Sequence, residues 1–164
     1  MRVDFFFTGC AGPFTPGGIG VFAVLAKYDD KIFWRDSGLA EHGRPATTAI
    51  ARYAGACCAL RKLREVHDQY PRTTFTLTTD RRDCIRELRR EVALHSPVSY
   101  ASIFDQASSL LDPVREIATL RWAYQQDPGI AAVRKIAQQL LLKHLGGFDM
   151  SQKRRGANDT TRGN

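Results

Sequence analysis

Cysteine is scarce in this chain and nowhere arranged to hold a metal. Cys10, Cys57, Cys58 and Cys84 form no CxxC pair, and no histidine stands at a matching spacing. Adjacent Cys57 and Cys58 point to different sides of a helix, which argues against a zinc site. The four read as reduced, buried, small apolar side chains of an intracellular, cytoplasmic protein. His42, His67, His95 and His144 are scattered, and no role attaches to them. Long apolar runs are missing too. MRVDFFFTG is too short for a signal peptide or a membrane span, so no membrane partner is expected. There is no internal repeat. Acids are in deficit, 17 Asp and Glu against 24 Lys and Arg, for a net charge of +7 and a pI near 9.5. That balance suits a polyanionic partner such as nucleic acid, although a surface charged only for solubility carries the same signature.

What remains is an ordinary globular composition: 164 residues, 43% apolar and 25% charged, enough for one domain with a core of its own. The stretch 2–8 places Val3, Phe5, Phe6 and Phe7 on both faces of a strand and belongs at the centre of a sheet. Glycines and prolines make 9–20 a loop. Strands over 21–27 and 31–36 follow, joined by Tyr28-Asp29-Asp30 as a hairpin. Pro45-Ala46-Thr47-Thr48 opens a helix with a threonine cap, running to about residue 67. Ile50, Tyr53, Ala54, Cys57, Leu60 and Leu63 form its buried stripe, with Arg52, Arg61, Lys62 and Arg64 outside it.

The chain pivots on TTFTLTTDRRDC, residues 73–84. A strand alternating polar and apolar residues delivers one carboxylate, Asp80, at its carboxyl end, a common place for chemistry in α/β proteins. A short basic helix then spans 82 to about 92, with Ile85, Leu88 and Val92 inward and Arg82, Arg86, Arg89 and Arg90 outward. A break surrounds Pro97. A helix over 102–111 stops at Asp112-Pro113, and 117–124 is the last strand. Asp127-Pro128-Gly129 opens the final helix, with Ile130, Val133, Ile136, Ala137, Leu140 and Leu141 on one stripe, ended by Gly146-Gly147. The order is β-β-β-α-β-α-α-β-α: an α/β chain with a mixed five-stranded sheet, three antiparallel strands and then two parallel, flanked by helices. The domain is expected over 1–148. A disordered basic tail, 149–164, carries Lys153, Arg154 and Arg155.

This order, together with FFFTGCAGPFTPGGIGVFAVL, TTAIARYAGACCAL, FTLTTDRRDC and WAYQQDPGIAAVRKIAQQL, resembles the type 1 ribonuclease H family over roughly residues 2–142. The resemblance implies a ribonuclease H-like fold. It also implies a carboxylate cluster that holds two magnesium ions and hydrolyses the RNA strand of an RNA–DNA hybrid. Carried over position by position, the first acid falls at Thr8, or at Phe7 with another gap placement. The second falls at Arg52, the third at Asp80 and the fourth at Arg134. Only Asp80 is acidic. The family's asparagines before the helix acid map to Thr48 and Ala49, the loop before Pro128 is short, and its usual histidine is absent.

No other acid stands within reach of these positions. Asp4 lies about 13 Å back along its strand from Thr8, Asp127 about 10 Å along a helix from Arg134, and metal–oxygen bonds are near 2 Å. Asp83 points off its helix flank. One carboxylate does not hold two magnesium ions, so no metal cofactor is expected unless other acids complete the site. Arg52 and Arg134 are expected to aim beside Asp80 and supply fixed positive charge there. Three readings follow. The first is a catalytically inactive, ribonuclease H-like protein that grips RNA, DNA or hybrid through Arg52, Arg81, Arg82, Arg86, Arg89, Arg90 and Arg134, mostly by backbone electrostatics. Its candidate stacking aromatics are Phe14, Trp34 and Tyr124, residues that also serve as packing. The second is a scaffold with a protein partner in a larger nucleic-acid-handling assembly. The third is an active, magnesium-dependent hybrid endonuclease.

Overall fold

Strand β1 (Arg2–Gly12) is central because both of its faces are greasy. Val3, Phe5 and Phe7 point into one core with Leu60, Leu63, Phe75 and Leu77. Phe6 and Cys10 pack against a second core of Val21, Leu25, Ile130 and Val133. The computed structural model describes residues 1–13, 18–40, 46–95 and 97–146. The expected tail, along with His42, Phe14 and Gly147, lies outside the described residues.

β2 (Ile19–Tyr28) and β3 (Lys31–Leu39) extend one edge antiparallel to β1, while β4 (Thr74–Thr79) and β5 (Ala118–Trp122) extend the other in parallel. The sheet order is β3-β2-β1-β4-β5, the mixed five-stranded sheet expected. Asp29 and Asp30 both take positive φ, 51° and 59°, which closes the β2–β3 hairpin with the twist its strands require. Among the described residues the helices are α1 (Thr48–Gln69), α2 (Arg82–Leu88), α3 (Pro97–Leu111) and α4 (Pro128–His144), with a 3-10 turn at Asp112–Val114. No helix among the described residues is long and apolar enough to cross a membrane.

Several boundaries differ from expectation for physical reasons. The glycine-rich 9–20 stretch is not a loop throughout: Gly9, Cys10, Ala11 and Gly12 pair with Phe22, Val21, Gly20 and Ile19, so ladder bonds override the turn signal. β3 runs to Leu39, and β5 is shorter than 117–124. α3 begins at Pro97 rather than 102, since a proline's fixed φ suits a first helical turn. α2 stops at Leu88 instead of continuing to Val92. Arg90 adopts φ 60°, Arg90 N donates to Glu87 O and Glu91 N to Arg86 O, the pairing that terminates a helix. An arginine takes a place usually held by glycine, and its side chain is tied to Asp112 at 3.0 Å. Only Cys57 and Cys84 are fully buried; Cys10 and Cys58 are partly exposed, and Cys58 donates to Asp36.

Behind α2 sits a group with no counterpart in the expected core. Glu87 is buried and accepts hydrogen bonds from Tyr53 at 2.8 Å and from Tyr100 at 3.0 Å. The two rings stack with centroids 5.6 Å apart. This joins α1, α2 and α3 at the back of the Asp80 strand tip.

The contact that positions α1 is made at Gly9. A β-carbon there would run into the backbone of Ala51 and Arg52, so only glycine lets the helix cross β1 beside Thr8. Gly9→Ala is expected to destabilise the fold by on the order of 3 kcal/mol, as overpacking against backbone does. Urea denaturation measures it, and a loss below about 0.5 kcal/mol would mean that α1 does not cross so closely.

Candidate functional site

β4 ends at Thr79, and Asp80 follows at the lip of the sheet beside β1. The two neighbouring threonine hydroxyls reach its carboxylate: Thr8 Oγ1 donates to Oδ1 at 3.1 Å and Thr79 Oγ1 at 3.4 Å. α4, packed on the face of β1 that carries Phe6, Thr8 and Cys10, brings Arg134, whose Nη1 bonds Oδ2 at 2.8 Å. The Asp80 side chain is 6% exposed and the Arg134 side chain 31% exposed. A charge-assisted bond in so sheltered a place is shorter and stronger than a surface pair.

Arg52 enters from α1. It is buried, against the expectation that it lies outside the helix stripe, because Gly9 lets the first turns of α1 settle on β1 and carries the side chain inward. Among the described residues it forms no ion pair with Asp80, and its Nε is buried without a hydrogen-bond partner. Burial lowers its pKa, and the Asp80 charge works the other way. Of the two arginines expected beside Asp80, Arg134 forms the ion pair and Arg52 contributes charge from within the wall.

Cys10 was not singled out from the sequence. It lies two residues beyond Thr8 on the same face of β1, so the strand period marks it as a neighbour of the site. With Thr8, Gly9, Arg134, Ala137 and Gln138 it lines a cavity of about 50 Å³. Burial raises its thiol pKa, while Arg134 and Arg52 pull it down and Asp80 pushes it further up.

The other acids near these positions do not join the cluster. Asp4 pairs with Arg2 at 3.2 Å. Asp127 caps α4 by accepting from Gly129 N at 2.9 Å and Ile130 N at 3.2 Å. Asp83 is exposed in the first turn of α2. Among the described residues no three His, Cys, Asp or Glu side chains gather where they could hold a metal ion. A magnesium pair needs several carboxylate oxygens, and one carboxylate already bonded to a guanidinium does not fit it.

The basic helix is less free than its sequence implies. Arg86 and Arg89 face Glu91 at 3.9 and 3.6 Å, and Arg90 pairs with Asp112. Arg89 also donates to Leu120 O. Arg81 and Arg82 are exposed and have no ion pair among those found in the described residues. Trp34 packs against Phe5 under the Lys62 ammonium, a core-edge role. Tyr124 is 72% exposed.

Comparison with solved structures decides the architecture. A ribonuclease H1 isolated from compost by a metagenomic approach superposes with a TM-score of 0.73 over 88% of this chain and 98% of its own, at 14% identity. The LC11 ribonuclease H1 in complex with an RNA/DNA hybrid gives 0.72 over 87% and 99%, at 12% identity. The fold is ribonuclease H-like. Ribonuclease H1 from the halophilic archaeon Halobacterium salinarum NRC-1 gives 0.63 over 85% and 96%, at 16% identity. No protein-family model and no curated protein sequence matches the chain. On this ribonuclease H frame, the strand tip carries Asp80 bonded by Thr8, Thr79 and Arg134.

A double-mutant cycle measures that bond. Arg134→Met and Asp80→Asn should each cost about 2 kcal/mol, with a coupling energy of about 1–2 kcal/mol in chemical denaturation. Additivity within about 0.3 kcal/mol would mean that the two groups do not pair.

Proposed function

We propose that this protein binds nucleic acid on a ribonuclease H-like frame and does not hydrolyse it by two-metal chemistry. The reading rests on one observation: the single acid at the strand tip is bonded by a guanidinium, Arg134 to Asp80 at 2.8 Å. A carboxylate so engaged is a poor magnesium ligand, and the other family positions hold Thr8 and Arg52. Binding is supported by the net charge of +7 and by the exposed Arg81 and Arg82 beside Asp80. The hybrid complex of a protein with this fold agrees with that reading. Positive groups at the lip would meet phosphates directly, giving contact with the backbone and little sequence preference. Arg86, Arg89 and Arg90 contribute less because acids already face them.

The scaffold reading draws on a different place. At the far end of β1, Met1, Val3, Tyr28, Phe33, Trp34 and Tyr70 line a groove of about 700 Å³. Tyr28, Phe33 and Tyr70 are each about half exposed. A protein partner covering this groove would leave the Asp80 end free, so the two readings are compatible.

Binding and cleavage assays separate the three readings. Single-stranded, duplex and hybrid oligonucleotides are expected to be retained at ~50 mM salt and released as salt rises. Because acids face Arg86, Arg89 and Arg90 and leave mainly Arg81 and Arg82 open at the lip, the logarithmic salt slope should correspond to roughly two to four phosphates. No hybrid cleavage is expected with magnesium or manganese. Cleavage abolished by Asp80→Asn would establish a nuclease instead, and no retention at ~50 mM salt would leave the scaffold.

A further inference from the structure

β4 and β5 end side by side, and Ala123 N donates to Thr79 O at 3.0 Å. That bond sets the residues after each strand at one lip of the sheet: Asp80 after β4, Tyr124 after β5. Trp122, the last residue of β5, is half-buried against the core. Tyr124 stands edge-on to it, with centroids 4.8 Å apart and planes at 74°. The Arg82 guanidinium lies over the Trp122 ring, 6.0 Å from its centroid. The three side chains form a short ladder of cation, ring and ring whose outer member is open to solvent. A ring 72% exposed gains nothing from core burial, and its contact with Trp122 fixes its orientation at little entropic cost. Arg81 and Arg82, which have no ion pair among the described residues, stand at this same lip.

We infer that Arg82, Trp122 and Tyr124 form a stacking platform for a base of single-stranded nucleic acid, so that this site prefers unpaired strands to duplex or hybrid. The inference rests on the nucleic-acid reading above and narrows its substrate class. In a duplex, base faces are covered by their neighbours; an unpaired base offers its face to an aromatic ring, and every base has one. Arg81 and Arg82 would hold the adjoining phosphates, with Asp80 neutralised by Arg134 so that it does not repel them.

The test measures affinities of a fluorescent single-stranded oligonucleotide, an abasic oligomer of equal length and a duplex at ~50 mM salt. Tyr124→Ala should weaken the single strand by about 5- to 150-fold, the value of one base–aromatic stack, and change the duplex and abasic probes less than about 2-fold. Tyr124→Phe should retain the affinity, because the ring and not the hydroxyl is used. In a Trp34→Phe background Trp122 is the only tryptophan left of two, and its emission should change on addition of the single strand but not of the abasic oligomer. Retention of all probes with equal affinity, or an equal effect of Tyr124→Ala on each, overturns the platform while leaving backbone binding intact. No retention of any probe removes the nucleic-acid reading itself, and the platform with it.

Discussion

Asp80 follows a sheet strand and Arg134 stands on a helix far along the chain, and the 2.8 Å bond between them fixes what the sheet tip is. β4 supplies the acid, α4 supplies the cation, and β1 between them supplies the Thr8 hydroxyl that holds the second carboxylate oxygen. Both carboxylate oxygens are thereby engaged, Oδ1 by the threonines and Oδ2 by the guanidinium. Electrostatically, positive charge is built into the wall of this lip: Arg134 at the surface, Arg52 behind it in the protein, and Arg81 and Arg82 outside.

That charge depends on local packing that allows charged groups so close to the core. Gly9 lets α1 cross β1 and bury Arg52. Gly129 does the same for α4, since a side chain there would collide with the Phe6 ring. Asp127 caps the helix just before it. One of the acids nearest in sequence to Arg134 is thus spent on a helix terminus, and its remaining oxygen faces Arg121 at 3.4 Å. Buried Glu87 is held by two tyrosines instead of a cation, which ties α2 to α1 and α3.

Much of this was legible in the residues. The two-sided apolar run of β1 puts it at the centre, the Asp127-Pro128-Gly129 sequence marks the start of α4, and the strand ending at Asp80 is plain from its alternation. The convergence of Asp80 and Arg134 followed from placing those elements in the ribonuclease H order. What escaped depends on contacts between distant segments. Arg52 reads as an outward arginine until Gly9 is seen under its backbone. The early end of α2 is invisible because an arginine, not a glycine, takes the left-handed position. Arg86 and Arg89 are faced by Glu91 once the helix turns back at Arg90, and Arg90 by Asp112, which only the folded chain brings near. Tyr124 and Trp34 look alike as lone aromatics, yet one is open to solvent and the other packs on Phe5.

The central claim is that guanidinium charge has replaced metal affinity at the Asp80 lip. Titration of magnesium into the isotope-labelled protein, followed through the backbone amides of Thr8, Thr79 and Asp80, addresses it most directly. The account predicts shifts that stay small and do not saturate up to about 10 mM ion, as for weak ion screening. A saturable change centred on Asp80, removed by Asp80→Asn, would contradict it.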